Sequence, residues 1–82
     1  NIIAAHRHCS GNRSDLEISD LCGCFQCLRV FSPGEIDNWV HAGETAVCPY
    51  CTTDSILASE AGLPLTPLFL KEMQDYWFNQ PL

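Results

Sequence analysis

Eighty-two residues correspond to one domain, residues 1–82, and at this size the surface is large relative to the volume, so an apolar core alone leaves folding marginal. Four Lys plus Arg against ten Asp plus Glu give a formal net charge of −6; the positive groups Arg7, Arg13, Arg29 and Lys71 are scattered, which disfavours nucleic acid as a partner. No apolar run approaches the roughly 20 residues needed to span a bilayer, so no membrane segment is predicted.

A chain this short needs a staple, and its six cysteines offer either disulfides or a metal site. The apolar start Ile2-Ile3-Ala4-Ala5 is interrupted at once by His6-Arg7-His8, without the basic segment, apolar run and small-residue cleavage site of a signal peptide. A cytoplasmic protein is therefore expected. In a reducing compartment, closely spaced cysteine pairs serve as metal ligands or redox groups rather than as structural disulfides.

Residues 1–21 are polar and punctuated by Ser10-Gly11-Asn12. Ser14 followed by Glu17 matches a capping box and predicts a short helix through Ile18 and Leu21. The first cluster, Cys22-Gly23-Cys24-Phe25-Gln26-Cys27, runs into Leu28-Arg29-Val30-Phe31, a predicted strand. Ser32-Pro33-Gly34-Glu35 then supplies an N-cap serine, a proline at the first helical position and a glutamate at the third, with Phe31 and Ile36 placed as a hydrophobic staple. A helix is predicted from Pro33, burying Ile36, Trp39 and Val40 on one face and ended by Gly43. Thr45-Ala46-Val47 before Cys48-Pro49-Tyr50-Cys51, and Ser55-Ile56-Leu57 after it, read as a strand, a tight turn and a return strand. Residues 58–65, with Gly62 and Pro64, read as a linking loop. Thr66 and Pro67 open a second helix, in which Phe69, Leu70, Met73, Tyr76 and Trp77 recur at helical spacing until Pro81.

Two cysteines separated by two residues form a tight turn that points both sulfurs at one centre about 2.3 Å away, and two such turns complete a tetrahedron. Cys24 with Cys27, and Cys48 with Cys51, have that form, and residues 28–47 between them suit a zinc-binding module. Zn2+ is the expected cofactor; rubredoxin-like iron is the competing metal. Four thiolates and one Zn2+ would add two negative charges to −6, giving about −8. Thr52 stands where such knuckles often place a glycine. The competing readings are a disulfide framework and a thioredoxin-like redox pair, the latter lacking a surrounding βαβ pattern. Cys22 would replace Cys24 only in a wider turn and is otherwise a small buried residue. Cys9 with His6 and His8 is a candidate second metal site or zinc-activated reaction centre, against the simpler alternative of a mobile terminus.

At these residues the chain resembles a family of small, uncharacterised bacterial cytoplasmic proteins. The resemblance runs from about His8 to Phe78 and rests on Cys-Gly-Cys-Phe-x-Cys at Cys22 to Cys27, Phe-Ser-Pro-x-Glu-Ile at Phe31 to Ile36, Thr-Ala-x-Cys-Pro-Tyr-Cys at Thr45 to Cys51, Asp54-Ser55, and Tyr76-Trp77-Phe78. The family pattern also places a histidine and then an asparagine before the first cluster, matching His8 and Asn12. The chain departs from it at Thr52, where the family carries glycine, and at His41, where it carries an acidic residue, so His41 is not expected to be a ligand. The resemblance implies a cytoplasmic zinc-ribbon-like protein and no particular activity.

The expected fold is a small α+β, zinc-ribbon-like domain with two cysteine knuckles, short β-hairpins and two amphipathic helices. A treble clef would instead require the second cysteine pair to open a helix at Thr52 to Ala58. The expected function is a structural four-cysteine zinc site in a protein-interaction module that docks a protein partner, with Tyr76, Trp77 and Phe78 as a candidate patch. One competing reading is a metal-dependent hydrolase or nuclease using His8 and Asn12 near the metal or a neighbouring cleft, with Asp15, Glu17 and Asp54 as further groups; four thiolates leave no position for a reacting water, which weighs against it. The other is a thiol or metal sensor built on Cys9 and Cys22, where acidic surroundings oppose thiolate formation.

Overall fold

The computed structural model describes residues 2–78. Strands Cys22–Cys24 (β1), Val30–Phe31 (β2) and Ile56–Ala58 (β5) form an antiparallel sheet in the order β2-β1-β5, and Trp39–Val40 (β3) pairs with Thr45–Ala46 (β4) in a separate antiparallel ribbon. Three α-helices accompany them: Ile2–Ala5 (α1), Arg13–Glu17 (α2) and Pro67–Trp77 (α3). The result is a small mixed α+β fold. No described helix is long and apolar enough to cross a membrane.

Side chains alternate across a strand, and here that alternation divides the interior in two. Cys22 and Cys24 of β1, with Ile56 and Ala58 of β5, point to one face and pack with Leu16 of α2, Phe31, Ile36, Ala46 and Cys48. Leu57 points to the other face and packs with Ala5, Cys9, Phe25, and Leu70 and Met73 of α3. Gly23 lies opposite Leu57 in the ladder. A Cβ there would sit 3.3 and 3.4 Å from the two Leu70 methyls, so glycine is what allows α3 to lie this close to the sheet.

The last helix begins as the sequence signals. Thr66 Oγ1 accepts from Phe69 N at 3.2 Å, Pro67 occupies the first turn, and Leu70 and Met73, three residues apart, are fully buried. Pro81 lies outside the described residues.

The first predicted long helix does not form. The capping box at Ser32 is present, with Gly34 N donating to Ser32 Oγ at 3.4 Å and Ser32 N donating to Glu35 Oε2 at 3.3 Å, and Phe31 and Ile36 share one core. Yet only one 3-10 turn, Pro33–Glu35, follows before Ile36 turns extended at ψ 121°. Trp39 and Val40 pair instead with Ala46 and Thr45. A capping box acts only on the first turn, whereas Asp37 and Asn38 favour turns, and aromatic and β-branched residues fit a pleated ribbon. Gly43, expected to end a helix, lies with His41 and Ala42 in the ribbon's turn, where all three have positive φ.

Two further expectations are corrected. The strands flanking the second cysteine pair exist, but β4 pairs with β3 and β5 with β1 rather than with each other. Asn12, 2 % exposed, stands between them: its Oδ1 accepts from Ala46 N at 3.1 Å and its Nδ2 donates to Ile56 O at 2.8 Å. Helix α2 accordingly starts beside Asn12 rather than at Ser14, no Ser14 capping box forms, and it ends at Glu17 with Ile18 and Leu21 exposed. The helix that a treble clef requires over Thr52 to Ala58 is absent: residues 52–55 are irregular and β5 follows at Ile56–Ala58.

Asn12→Ala would leave the Ala46 N–H and the Ile56 carbonyl buried without partners. The expected loss is about 2–4 kcal/mol in urea unfolding, read as a lower midpoint at unchanged slope.

Candidate metal centre

The two Cys-x-x-Cys segments adopt the same local fold. In the first, Leu28 N donates to Cys24 O at 2.8 Å and Cys24 N to Arg29 O at 2.9 Å; in the second, Thr52 N donates to Cys48 O at 2.9 Å and Cys48 N to Thr53 O at 2.8 Å. The residue after each pair, Leu28 and Thr52, has φ 65°. Each turn also aims backbone N–H groups at its first sulfur: Gln26 N and Cys27 N lie 3.3 and 3.5 Å from Cys24 Sγ, and Tyr50 N lies 3.4 Å from Cys48 Sγ. Such donors favour the thiolate.

The knuckles face each other. Cys24 Sγ lies 3.5 Å from Cys51 Sγ, Cys27 Sγ lies 3.7 Å from Cys48 Sγ, and all four sulfurs lie within 4.8 Å of one another. A tetrahedral ion with metal–sulfur bonds of about 2.3 Å requires sulfur–sulfur edges of about 3.8 Å. The set fits such an ion and is consistent with zinc, and the separations far exceed the about 2.05 Å of a disulfide. All six cysteines are free.

Hydroxyls and rings hold the cluster from outside. Ser55 Oγ lies 3.1 Å from Cys24 Sγ and Thr53 Oγ1 lies 3.1 Å from Cys51 Sγ, and the two hydroxyls are 2.6 Å apart. At the tip of the second knuckle, the Arg29 guanidinium covers the Tyr50 ring at 4.5 Å, Phe31 meets that ring edge-on, and the Tyr50 hydroxyl donates to Glu35. Burial pushes the Cys27 and Cys48 thiols up. Burial also raises Cys51, but hydrogen bonds from the Thr53 side chain and backbone, then from the Cys24 and Cys48 sulfurs, outweigh it and hold Cys51 below the usual thiol value. A divalent cation among four crowded sulfurs reverses the penalty of burial, because a coordinating thiol is deprotonated outright.

The other residues singled out from sequence do not join this cluster. Cys22, fully buried, donates from Sγ to Phe31 O at 3.4 Å, and burial, then the charges of Glu35 and Cys24, push its thiol up to about 12. The metal-capable group found among the described residues contains the four knuckle cysteines and no histidine, so His6, His8 and Cys9 form no second metal site there. Asn12 is committed to the two strands through both ends of its amide. Glu17 pairs with Arg13 at 3.5 Å, and His41 Nδ1 lies 3.3 Å from Thr45 Oγ1 at the ribbon turn. Asp54 faces Cys9, which is 5 % exposed; burial, then the Asp54 charge, push that thiol up to about 11. Neither surplus cysteine has the exposed, low-pKa character of a sensor thiol. The supporting hydroxyls and the equivalence of Leu28 to Thr52 escaped the sequence reading, although the second follows from aligning the two Cys-x-x-Cys runs on each other.

No family model, curated protein or solved structure matches the chain.

Left-handed backbone costs an L-residue roughly 1–2 kcal/mol. Thr52 is exposed, and Thr52→Gly should raise stability by about 0.5–1 kcal/mol after the added chain entropy of glycine. Leu28→Gly relieves the same strain but removes a side chain packed in the α3 core, and should lower stability by about 1 kcal/mol. Thermal melts of the metal-loaded variants test the contrast.

The raised Cys9 thiol ties stability to alkaline pH. Below its ordinary value of 9.0 it is protonated in both folded and unfolded chains; between 9.0 and about 11 the unfolded chain ionises first, so this contribution falls as pH rises. Urea unfolding of Cys9→Ala should therefore show a shallower loss over that window than the parent chain.

Proposed function

We propose that the chain is a small zinc-binding module in which Cys24, Cys27, Cys48 and Cys51 hold one Zn2+ in a structural site, and that the surface this site shapes docks a protein partner. The observation that carries the reading is the meeting of four sulfurs at tetrahedral separations. Four protein sulfurs fill the coordination sphere of zinc and leave no position for a reacting water, which favours a structural over a catalytic centre. Zinc is preferred to iron as the commonest occupant of a closed four-sulfur site.

When bound, the ion supplies folding free energy, on the order of 10 kcal/mol in such sites, and crosslinks the end of β1 to the segment between β4 and β5. The chain's own residues do the rest. Ser55, Thr53 and the knuckle N–H groups orient the sulfurs, while Arg29, Tyr50 and Glu35 brace the second knuckle. The cytoplasm, and kinship with the small bacterial proteins whose cysteine runs the chain shares, belong to the same proposal. A protein partner suits the net charge of −6 better than nucleic acid does.

Native mass spectrometry of protein purified from its own cells, before and after chelation, tests the centre. One zinc per chain is expected, with loss of the compact charge envelope on chelation; Cys48→Ser should lose both zinc and compactness. Metal-free protein that stays compact, or iron in place of zinc, would overturn the assignment.

A further inference from the structure

The hydroxyls beside the four sulfurs hold too few protons for their contacts, and the shortage fixes their arrangement. Cys24 Sγ, Ser55 Oγ, Thr53 Oγ1 and Cys51 Sγ stand in a row, with successive separations of 3.1, 2.6 and 3.1 Å. A hydroxyl carries one proton, and a sulfur bound to a metal carries none. With the cluster loaded, two protons therefore serve three contacts. The oxygen–oxygen separation is that of an O–H···O hydrogen bond, so one proton lies between the two hydroxyls. The other belongs to the accepting hydroxyl and goes to that hydroxyl's own sulfur.

Two orders satisfy this count: Thr53 to Ser55 to Cys24, or Ser55 to Thr53 to Cys51. The backbone donors decide between them. Cys24 Sγ already receives Gln26 N and Cys27 N at 3.3 and 3.5 Å. Cys51 closes the second knuckle, half-buried beside the exposed Thr52, and its sulfur is faced by both the backbone and the hydroxyl of Thr53. Ser55 is fixed at the head of the row. It is 1 % exposed, its carbonyl accepts from Phe25 N at 3.1 Å, and it sits between the sulfurs and an aromatic cleft of about 210 Å3 that His6, Phe25, Asp54, Trp77 and Phe78 also line.

We propose that Thr53 is a positioning residue for the metal ligand Cys51: Ser55 donates its hydroxyl proton to Thr53 Oγ1, and Thr53 donates its own to Cys51 Sγ. The proposal rests on the zinc reading above. A hydrogen bond to a ligating sulfur fixes its direction and draws charge from it, and losing such a partner costs about tenfold or more in metal affinity. Without Thr53, the half-buried Cys51 sulfur would turn its lone pairs to water.

The test compares Thr53→Val, Ser55→Ala and Thr53→Ser with the parent chain in two measurements: zinc competition with a chromophoric chelator, and the thiolate-to-cobalt charge-transfer band of the cobalt-loaded chain. Thr53→Val keeps the shape and loses the donor, so zinc affinity should fall about tenfold. The cobalt band should move to longer wavelength, because the Cys51 sulfur regains charge. Ser55→Ala should cost less, about threefold, since Thr53 keeps its own proton for Cys51. Thr53→Ser should restore both parent values. Parent-like affinity or an unmoved band in Thr53→Val, a larger loss in Ser55→Ala than in Thr53→Val, or a Thr53→Ser band that stays shifted would each overturn the proposal. A parent chain that binds neither zinc nor cobalt would overturn the zinc reading and the proposal together. A zinc-binding parent whose variants all match it would overturn the proposal alone.

Discussion

The pairing of β1 with β5, only three residues on each strand, sets the two faces on which the rest of this molecule packs and puts Cys24 on one of them. Because a strand alternates its faces, Cys22 and Cys24 must share one side of β1 while Gly23 occupies the other. The cysteine side becomes the core that carries the knuckles, with α2 and the β3-β4 ribbon over it. The glycine side is flat enough for α3 to press Leu70 against it. A shift of one residue in this register would exchange the faces, turning Cys24 away from Cys48 and setting side chains where the helix now lies.

The four-cysteine cluster and the aromatic cleft are neighbours through the same short segment. Ser55 contacts Cys24 with its hydroxyl and also lines the cleft, and Phe25, between the two cysteines of the first knuckle, turns its ring into the α3 core and toward Phe78. Each knuckle places a non-glycine residue in left-handed backbone, a strain of roughly 1–3 kcal/mol that persists only where surrounding structure imposes it. On the zinc reading, the ion imposes it, since both turns must close for four sulfurs to reach one centre. The clamp of Arg29, Tyr50 and Glu35 adds to this from the surface, so the exposed part of the second knuckle is held by side chains as well as by its backbone.

Asn12 performs a role that its chemistry allows but that its position in the chain does not suggest. An asparagine next to a helix start reads as a cap, yet its amide serves two strands that lie 34 and 44 residues ahead. It separates β4 from β5 while satisfying one backbone group on each, which explains why the strands flanking the second knuckle do not form a hairpin. Nearby, Gly11 N donates to Thr45 Oγ1 at 2.8 Å and Arg13 N to Glu44 O at 3.1 Å, so the same segment ties the ribbon to the sheet.

The local signals were legible wherever their physics is local. Two-residue cysteine spacing makes a turn, and the structure makes it twice; Thr66-Pro67 caps a helix, and the helix starts there; Ser32 and Glu35 form their box. Thr52 showed its unusual backbone through the glycine missing from its place. The sequence by itself therefore determined which cysteines come together and where α3 begins, and its periodicity marked Leu70 and Met73 for the core, whereas Phe69 and Tyr76 at the same spacing are only half-buried and Trp77 is exposed. Tertiary structure alone decided that the turn at Pro33 stops after three residues, that Trp39 and Val40 join a ribbon, that Asn12 bridges two strands, and that His6, Asp54, Trp77 and Phe78 meet around one cleft. Those outcomes depend on contacts between segments far apart in the chain, where burial and pairing outweigh the few tenths of a kcal/mol per residue that separate local propensities.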